Sequence, residues 1–357
     1  MCPELRHVVR MLRGGGYAMR DRGRLDGVLA WGFLSLAAVG CDRDRSGNGS
    51  GTGGGGGGSS HSSTGSGAGF VVGKNRYTLT LEGDTREYFV HVPTSYSATV
   101  ATPIVFMLHG AGGTGEQFYG QSGWVEVGEA ENVLTVFPSS WTYPCVLDDG
   151  MQKQNREKWA SYNLVLCDAG DHPRDDIGFI ARMLDELEAQ FNVDDRRVYM
   201  VGFSNGGEMA SRAVVELGDR LAAGVSAAGG LDTAHTPKRE GVPFLFQQGN
   251  ADPHMKAKLG TTSDLPMDFG PLLADGSPFR NFIQPFLDTL AMKPGYSVGG
   301  NAAKYLTATY QGQSGLADNV FGIFLVNGLG HAYPNGDNHP MKAAEEHWAW
   351  LRAYALP

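Results

Sequence analysis

One stretch near the middle of the chain limits its possible folds more than any other. Residues 198–201 are apolar and favour a β-strand, and residues 208–217 change to a helix-like spacing of apolar side chains. Residues 202–206, which join them, read Gly-Phe-Ser-Asn-Gly. Glycines in this pattern let a strand and a helix approach closely while the serine takes a strained turn conformation. The stretch therefore predicts a buried strand, a sharp turn and a helix, with the Ser204 hydroxyl exposed at the turn.

The pentapeptide alone does not establish a nucleophile, because a chain with 52 glycines can match it by accident. Residues 295–299, Gly-Tyr-Ser-Val-Gly, also match, but they follow Lys293-Pro294 instead of an apolar strand, and no helical pattern follows them. We interpret Ser297 as a loop serine. A purely structural glycine-rich turn stays open for Ser204 until its partners are considered.

A second buried strand ends in a loop suited to binding an oxyanion. Residues 103–108 are continuously apolar, as in a parallel strand buried on both faces, and residues 109–113 read His-Gly-Ala-Gly-Gly. A turn at the carboxyl end of such a strand can direct backbone N–H groups at a developing negative charge. We predict the Ala111 and Asn205 N–H groups as the two donors.

Further periodic segments complete an alternating strand and helix pattern. An antiparallel hairpin is predicted first, within residues 77–92, and residues 254–318 are expected to be irregular outside one helix and to cover part of the site. Buried strands are predicted at 132–137, 221–228, 242–247 and 321–326, and helices at 176–191, 279–290 and 341–354.

The loops after two of these strands supply an acid and a base. Asp252 follows strand 242–247, and His331 lies in a glycine-rich loop after strand 321–326. These positions match the acid and histidine that follow the nucleophile in a Ser, Asp, His chain order. We predict Asp252 as the acid, with Asp232 as the second candidate, and His331 as the general base. A helix or turn cap before Pro253 is the alternative role for Asp252.

The amino-terminal region differs from the rest of the chain. A basic stretch at residues 20–24 precedes an apolar run at 28–39, which is too short to span a bilayer but suits a signal peptide. The run ends before Cys41 in small residues that resemble a bacterial lipobox. We predict a lipoprotein-type signal segment over residues 1–41, lipidation of Cys41 and export, with Met19 as a second candidate start. Cleavage and release without a lipid is the alternative.

Residues 42–70, rich in glycine and serine, are predicted as a flexible tether, and residues 71–357 as the catalytic domain. In an exported chain the remaining pair, Cys145 and Cys167, favours a disulfide over free thiols. The formal charge of −9, without a Lys/Arg run outside the amino-terminal region, argues against a nucleic-acid partner. The spacing of the acids between 168 and 176 matches no EF-hand, and no metal site is predicted.

With these residues placed, the chain resembles the exported α/β-hydrolase esterases that include polyhydroxybutyrate depolymerases and feruloyl esterases. The resemblance implies an α/β-hydrolase fold over residues 77–356, with a mostly parallel central sheet and helices on both faces, and a Ser-His-Asp triad that needs no cofactor. Gln248 stands where the family commonly has histidine, and Tyr333 where it has tryptophan; both departures are expected to affect substrate preference more than catalysis. The matching motifs are residues 108–110, 202–207, 251–253 and 330–334.

The predicted activity is that of a serine esterase on an ester substrate, which can be polymeric. Trp141, Trp159 and Tyr333 are predicted to line one wall of the substrate pocket, which favours aryl or carbohydrate esters of the feruloyl or acetyl-xylan type. Burial of some of these rings in the core is the alternative. A polyhydroxyalkanoate depolymerase, a serine peptidase and a non-catalytic surface-binding module remain open, as does the oligomeric state.

Overall fold

A computed structural model of the chain describes residues 70–146, 153–161, 164, 167, 173–313, 315 and 319–357. The predicted signal segment, Cys41 and nearly all of the tether lie outside these residues. No helix within the described part is both long enough and apolar enough to cross a membrane.

Strands form the centre of the molecule. In chain order they are β1 Gly73–Leu81, β2 Asp84–Val92, β3 Thr102–Leu108, β4 Leu134–Pro138, β5 Trp141–Val146, β6 Lys153–Lys158, β7 Val193–Phe203, β8 Ala223–Ala227, β9 Phe244–Gly249, β10 Met292–Asn301, β11 Tyr305–Gly312 and β12 Val320–Val326.

Within the described residues, ten of these strands form one sheet in the order β1-β2-β4-β3-β7-β8-β9-β12-β11-β10. The six strands from β4 to β12 in this order run parallel, and the pairs at both edges are antiparallel. The predicted mostly parallel sheet is therefore confirmed.

The central strands are buried because both faces of the sheet are covered. In β3, Ile104 and Phe106 pack into one apolar cluster while Val105 and Met107 pack into a second. Side chains alternate between the two faces of a strand, so a continuous apolar run is needed where both faces are covered.

Helices supply the two covering layers. The layer with Ile104 includes α3, α4 and α7, and the layer with Val105 includes α1, α2 and α8. Helices on both faces are thus confirmed. Their bounds are α1 Gly115–Gln121, α2 Trp124–Glu131, α3 Asp176–Gln190, α4 Asn205–Glu216, α5 Pro253–Lys258, α6 Phe269–Leu272, α7 Pro278–Thr289 and α8 Ala343–Leu351.

Two segments differ from the prediction. The region after β4, predicted as a long loop, contains the β5–β6 hairpin. Residues 292–312, predicted as part of an irregular cover, form β10 and β11 and extend the sheet beyond β12. Ser297 accordingly lies in an exposed edge strand, paired with Thr309, and not in a loop. The interpretation failed because an exposed edge strand has no apolar run to mark it.

The structure joins Cys145 to Cys167 by a disulfide, as the sequence predicted. The bridge links β5 to a point 22 residues further along the chain. Closing a loop of this length restricts the unfolded chain and contributes about 3 kcal/mol of stability in the chain-entropy model.

Candidate active site

The turn between β7 and α4 holds Ser204 in a strained conformation. Its φ of 52° and ψ of −121° lie outside the regions that L-residues favour, which costs about 1 to 3 kcal/mol. A Cβ on Gly202 would lie 2.0 Å from the Gly206 carbonyl oxygen, and one on Gly206 would lie 2.4 Å from the His109 carbonyl oxygen. Only glycine fits at these two positions, so the close packing of strand and helix requires both glycines of the pentapeptide.

Ser204, His331 and Asp252 come together at the carboxyl ends of β7, β12 and β9. Ser204 Oγ lies 2.9 Å from His331 Nε2, and His331 Nδ1 lies 2.8 Å from Asp252 Oδ2. When Nδ1–H donates to Asp252, the other ring nitrogen is free to accept the serine proton. The His331 side chain is 21% exposed while that of Asp252 is 1% exposed, so the serine and histidine face the surface and the acid lies beneath them.

Asp252 combines two roles that the sequence analysis treated as alternatives. Its Oδ2 accepts from His331 and from Gln248 Nε2 at 3.0 Å, while its Oδ1 caps α5 by accepting from His254 N–H at 2.8 Å. Burial alone would raise the pKa of Asp252, but the hydrogen bond and charge of His331, together with the bonds from Gln248 and His254, bring that pKa below its usual value. The acid is therefore ionised at neutral pH.

Asp232, the second candidate for the acid, belongs to a different pair. It is fully buried, and its Oδ2 lies 2.9 Å from His235 Nδ1. Among the residues that the structure describes, no three or more His, Cys, Asp or Glu side chains are arranged to hold a metal ion.

The two predicted oxyanion donors are available for a ligand. In the loop after β3, Gly112 N–H donates to the Glu157 carbonyl at 2.8 Å and Gly113 N–H to the Gly110 carbonyl at 3.0 Å. Within the described ranges the Ala111 N–H makes no hydrogen bond. Asn205 is the first residue of α4, and an N–H at that position has no acceptor in its own helix.

The chain matches proteins named as esterases over about half of its length. It is 30% identical over 178 residues to NocK, a proposed esterase of Nocardia uniformis subsp. tsuyamanensis, covering 49% of this chain and 47% of the relative. It is 22% identical over 171 residues to a bifunctional acetylxylan esterase/xylanase of Neocallimastix patriciarum, covering 48% of this chain and 22% of the relative. The chain thus spans less than half the length of these curated relatives. No protein-family model matches it.

The fold is matched among solved structures. An acetyl xylan esterase from Aspergillus awamori superposes with a TM-score of 0.50 at 14% identity, covering 78% of this chain and 99% of that one. The chain has the α/β-hydrolase fold. Sheet order, a serine at the strand-to-helix turn and an acid and histidine after later strands agree with this assignment.

A buried histidine supports the loop after β3, which carries the predicted donor Ala111. His109 Nδ1–H donates to the Gly110 carbonyl at 2.7 Å, and its Nε2 accepts from Ser140 N–H at 3.0 Å. Burial lowers the pKa of His109 to about 4, although the bond to Gly110 opposes that shift. The ring is therefore neutral, as an accepting Nε2 requires.

Trp159 supports the same loop and does not line a substrate pocket as predicted. It is fully buried; its Nε1–H donates to the His109 carbonyl at 2.9 Å and its backbone N–H to Asn205 Oδ1 at 2.7 Å. No face of the ring is left for a substrate. The tryptophan instead links the loop after β3 to Asn205, the residue after Ser204.

Tyr333 also lies in the core instead of the predicted substrate wall. Its hydroxyl accepts from Trp124 Nε1–H at 2.9 Å and donates to His347 Nδ1 at 3.1 Å. His347 Nε2–H then donates to Gln247 Oε1 at 2.9 Å. This chain of hydrogen bonds therefore holds Tyr333 in the core, two residues after His331.

Of the three aromatic residues predicted to line the substrate pocket, Trp141 is the one that stays partly exposed. The Arg174 guanidinium lies 4.6 Å from the centre of its ring. Trp141 begins β5 and pairs with Lys158 at the end of β6.

Three contacts of Asp252 and His331 were not predicted. Gln248, one of the departures from the family pattern, donates directly to Asp252 at 3.0 Å. The His254 and Phe203 rings lie 4.3 Å and 5.1 Å from that of His331, measured between centroids. Phe203 occupies a variable position of the pentapeptide and His254 follows the acid by two residues, and neither pattern alone indicates such a contact.

Proposed function

We propose that the chain is a serine carboxylic-ester hydrolase. The observation that carries the proposal is the hydrogen-bonded series Ser204, His331, Asp252, at 2.9 Å and 2.8 Å. The strained turn, the two available N–H donors and the similarity to proteins named as esterases support the same reaction.

The proposed reaction is acyl transfer in two halves. Ser204 Oγ attacks the ester carbonyl carbon while His331 Nε2 takes its proton, and Asp252 stabilises the resulting imidazolium. The Ala111 and Asn205 N–H groups stabilise the tetrahedral oxyanion, a contribution of about 2.7 to 4 kcal/mol per donor. His331 then protonates the leaving alcohol. Water, activated by His331, releases the acyl group and restores the serine.

Removal of the nucleophile tests the reaction. Ser204→Ala should lower the turnover of a chromogenic acetate ester by about four to six orders of magnitude, while the folded protein stays intact. Ser297→Ala is the matched control, because it changes the serine of the second pentapeptide on an exposed strand, and it should leave turnover unchanged. Equal activity of the two variants would refute the assignment of Ser204. Absence of turnover in the unmodified protein would favour a binding module, and cleavage in a peptide panel would favour a peptidase.

Aryl or carbohydrate esters are the proposed substrates. The support is the partly exposed ring of Trp141 and the similarity to a relative named as an acetylxylan esterase. Flat rings stack on aromatic faces, which gains about 0.5 to 1.5 kcal/mol beyond area burial. Methyl ferulate and acetylated xylan should be hydrolysed faster than hydroxybutyrate oligomers. The opposite ranking would favour a polyhydroxyalkanoate depolymerase.

We also propose that the protein is exported and anchored to a membrane through a lipid on Cys41. The support is the basic stretch, the apolar run and the small residues before Cys41 in the sequence. Mass spectrometry of the mature amino terminus should find a lipidated cysteine, and Cys41→Ser should release the protein from the membrane fraction. An unmodified terminus at another residue would refute the anchor.

A further inference from the structure

A charged cluster lies beside the nucleophile and has no part in the triad. At its centre is Glu208 in the first turns of α4, whose Oε2 accepts from Ser161 Oγ at 3.0 Å and from Asn205 Nδ2 at 3.3 Å. Asn205 is the residue that follows Ser204 and offers the oxyanion donor. Glu208 is therefore fixed next to the reacting atoms.

Two lysines from different elements interact electrostatically with this carboxylate: Lys158 at the end of β6 and Lys258 at the end of α5. Arg156, two residues before Lys158, acts on Lys158 as a like charge. We call Arg156, Lys158 and Lys258 the cationic cluster. Positive side chains thus gather here among the described residues, although the whole chain carries a formal charge of −9.

The position of Lys158 is set by the active site itself. The next residue, Trp159, donates its backbone N–H to Asn205, so the lysine backbone is held against the nucleophile turn. Lys158 is half-buried and forms no ion pair within 4.0 Å in the described part of the chain. Burial, reinforced by the like charge of Arg156 and opposed by Glu208, lowers its pKa. A half-buried ammonium group without a close counter-ion is costly to hold charged, and a bound anion would relieve that cost.

The other two cations lie on elements that carry parts of the proposed site. Arg156 Nε lies 4.0 Å from the point where a Cβ on Gly112 would stand, so this side chain lies over the oxyanion loop. Lys258 ends α5, the helix that Asp252 caps. Its ammonium lies 4.3 Å from the centre of the Phe282 ring.

Trp141 adds a flat surface to this charge. It stands directly opposite Lys158 in the β5–β6 hairpin, and directly opposed residues of an antiparallel pair have Cβ atoms about 4.5 to 5.5 Å apart on the same face. A ring stacked on Trp141 would therefore place a substituent within reach of the Lys158 ammonium.

We propose that the cationic cluster binds a carboxylate on a ring-shaped part of the ester substrate, so that the enzyme prefers aryl or sugar esters that carry a negative charge near the scissile bond. This inference rests on the proposed esterase function and specifies its substrate class. Lys158 would act by binding and orienting the substrate, with no proton transfer in the reaction.

A matched pair of esters tests the preference. 4-Acetoxybenzoate and its methyl ester have the same ring and the same scissile acetate, but only the first carries a carboxylate. We expect a higher kcat/KM for the anionic ester once each value is normalised to its spontaneous hydrolysis, and a smaller ratio at high ionic strength, because salt screens partly exposed charges.

Substitutions test whether the cationic cluster causes the preference for the anionic ester. Lys158→Gln should reduce the ratio of anionic to neutral kcat/KM by about tenfold, Lys258→Gln should reduce it in the same direction, and Lys158→Arg should largely restore it. Lys304→Gln is the control, because it removes the same charge from an exposed turn between β10 and β11 and should leave the ratio unchanged.

The possible failures are distinct. Turnover of the methyl ester without preference for the anion would overturn this inference and leave the esterase proposal standing. An equal loss on both esters in Lys158→Gln would assign the lysine a structural role and would also overturn it. No turnover of either ester would refute the proposed function together with this inference.

Discussion

Replacing Tyr333 by phenylalanine should destabilise the protein strongly, because one hydroxyl group satisfies two buried partners. Trp124 Nε1–H can only donate, so the Tyr333 oxygen accepts from it and the Tyr333 O–H donates to His347 Nδ1. Trp124 and His347 are both fully buried. The variant would leave a buried donor and a buried acceptor without partners, at almost unchanged side-chain volume.

The magnitude follows from these two lost partners. An unsatisfied buried polar group costs about 1 to 3 kcal/mol, so two of them predict a loss of about 2 to 6 kcal/mol in the free energy of unfolding. His347 cannot compensate by becoming charged, since burial lowers its pKa to about 3. Gln247, which accepts from His347 at the end of this chain of hydrogen bonds, already has a buried Nε2 group with no partner among the described residues, so the region holds one unsatisfied group before the change.

Urea unfolding at pH 7.5, followed by tryptophan fluorescence, measures this loss. Tyr305→Phe is the matched control, because its hydroxyl donates to Glu346 Oε2 at 2.7 Å at a partly exposed site where water can replace it. The control should lose less than about 1 kcal/mol. Equal losses in the two variants would refute the argument that the buried hydrogen-bond chain sets the stability of this region.

Three further predictions concern the turn at Ser204, the proposed triad acid and acid stability. Gly206→Ala should lower kcat/KM about a hundredfold, because the new Cβ would stand 2.4 Å from the His109 carbonyl oxygen and displace the turn that carries Ser204, whereas Gly295→Ala has open space and should change little in the same ester assay. Gln248→Met removes a hydrogen bond to Asp252, the proposed triad acid, and should lower kcat/KM about tenfold, with a circular dichroism spectrum like that of the unmodified protein; undiminished activity would contradict a role of this contact in the reaction. Burial lowers the pKa of His109 to about 4 and of His347 to about 3, so as pH falls below 6.5 the unfolded chain binds these protons first and the folded state loses stability down to pH 3 to 4. The free energies of unfolding measured with urea at pH 7.5 and pH 5 should differ by about 2 kcal/mol for each histidine, and equal or greater stability at pH 5 would contradict their burial as neutral rings.

The sequence was sufficient for the features that consecutive residues encode. The strand, turn and helix around Ser204 follow from apolar spacing and from two glycines that no other residue can replace, and the parallel strands follow from continuous apolar runs such as that of β3. The order of Asp252 and His331 along the chain placed both after strands whose carboxyl ends meet at one edge of the sheet. Their hydrogen-bonding distances agree with this expectation.

The tertiary structure alone decided which side chains of the same type are buried. Trp141, Trp159 and Tyr333 look equivalent in the sequence, but Trp159 and Tyr333 are enclosed by groups up to about two hundred residues away, such as Trp124, which lies 209 residues before Tyr333. Burial depends on which side chains pack against a residue. Many of these side chains come from distant segments of the sequence, so no local pattern predicts them. For the same reason Lys158 and Lys258, a hundred positions apart in the sequence, come within electrostatic reach of Glu208 only in the folded chain.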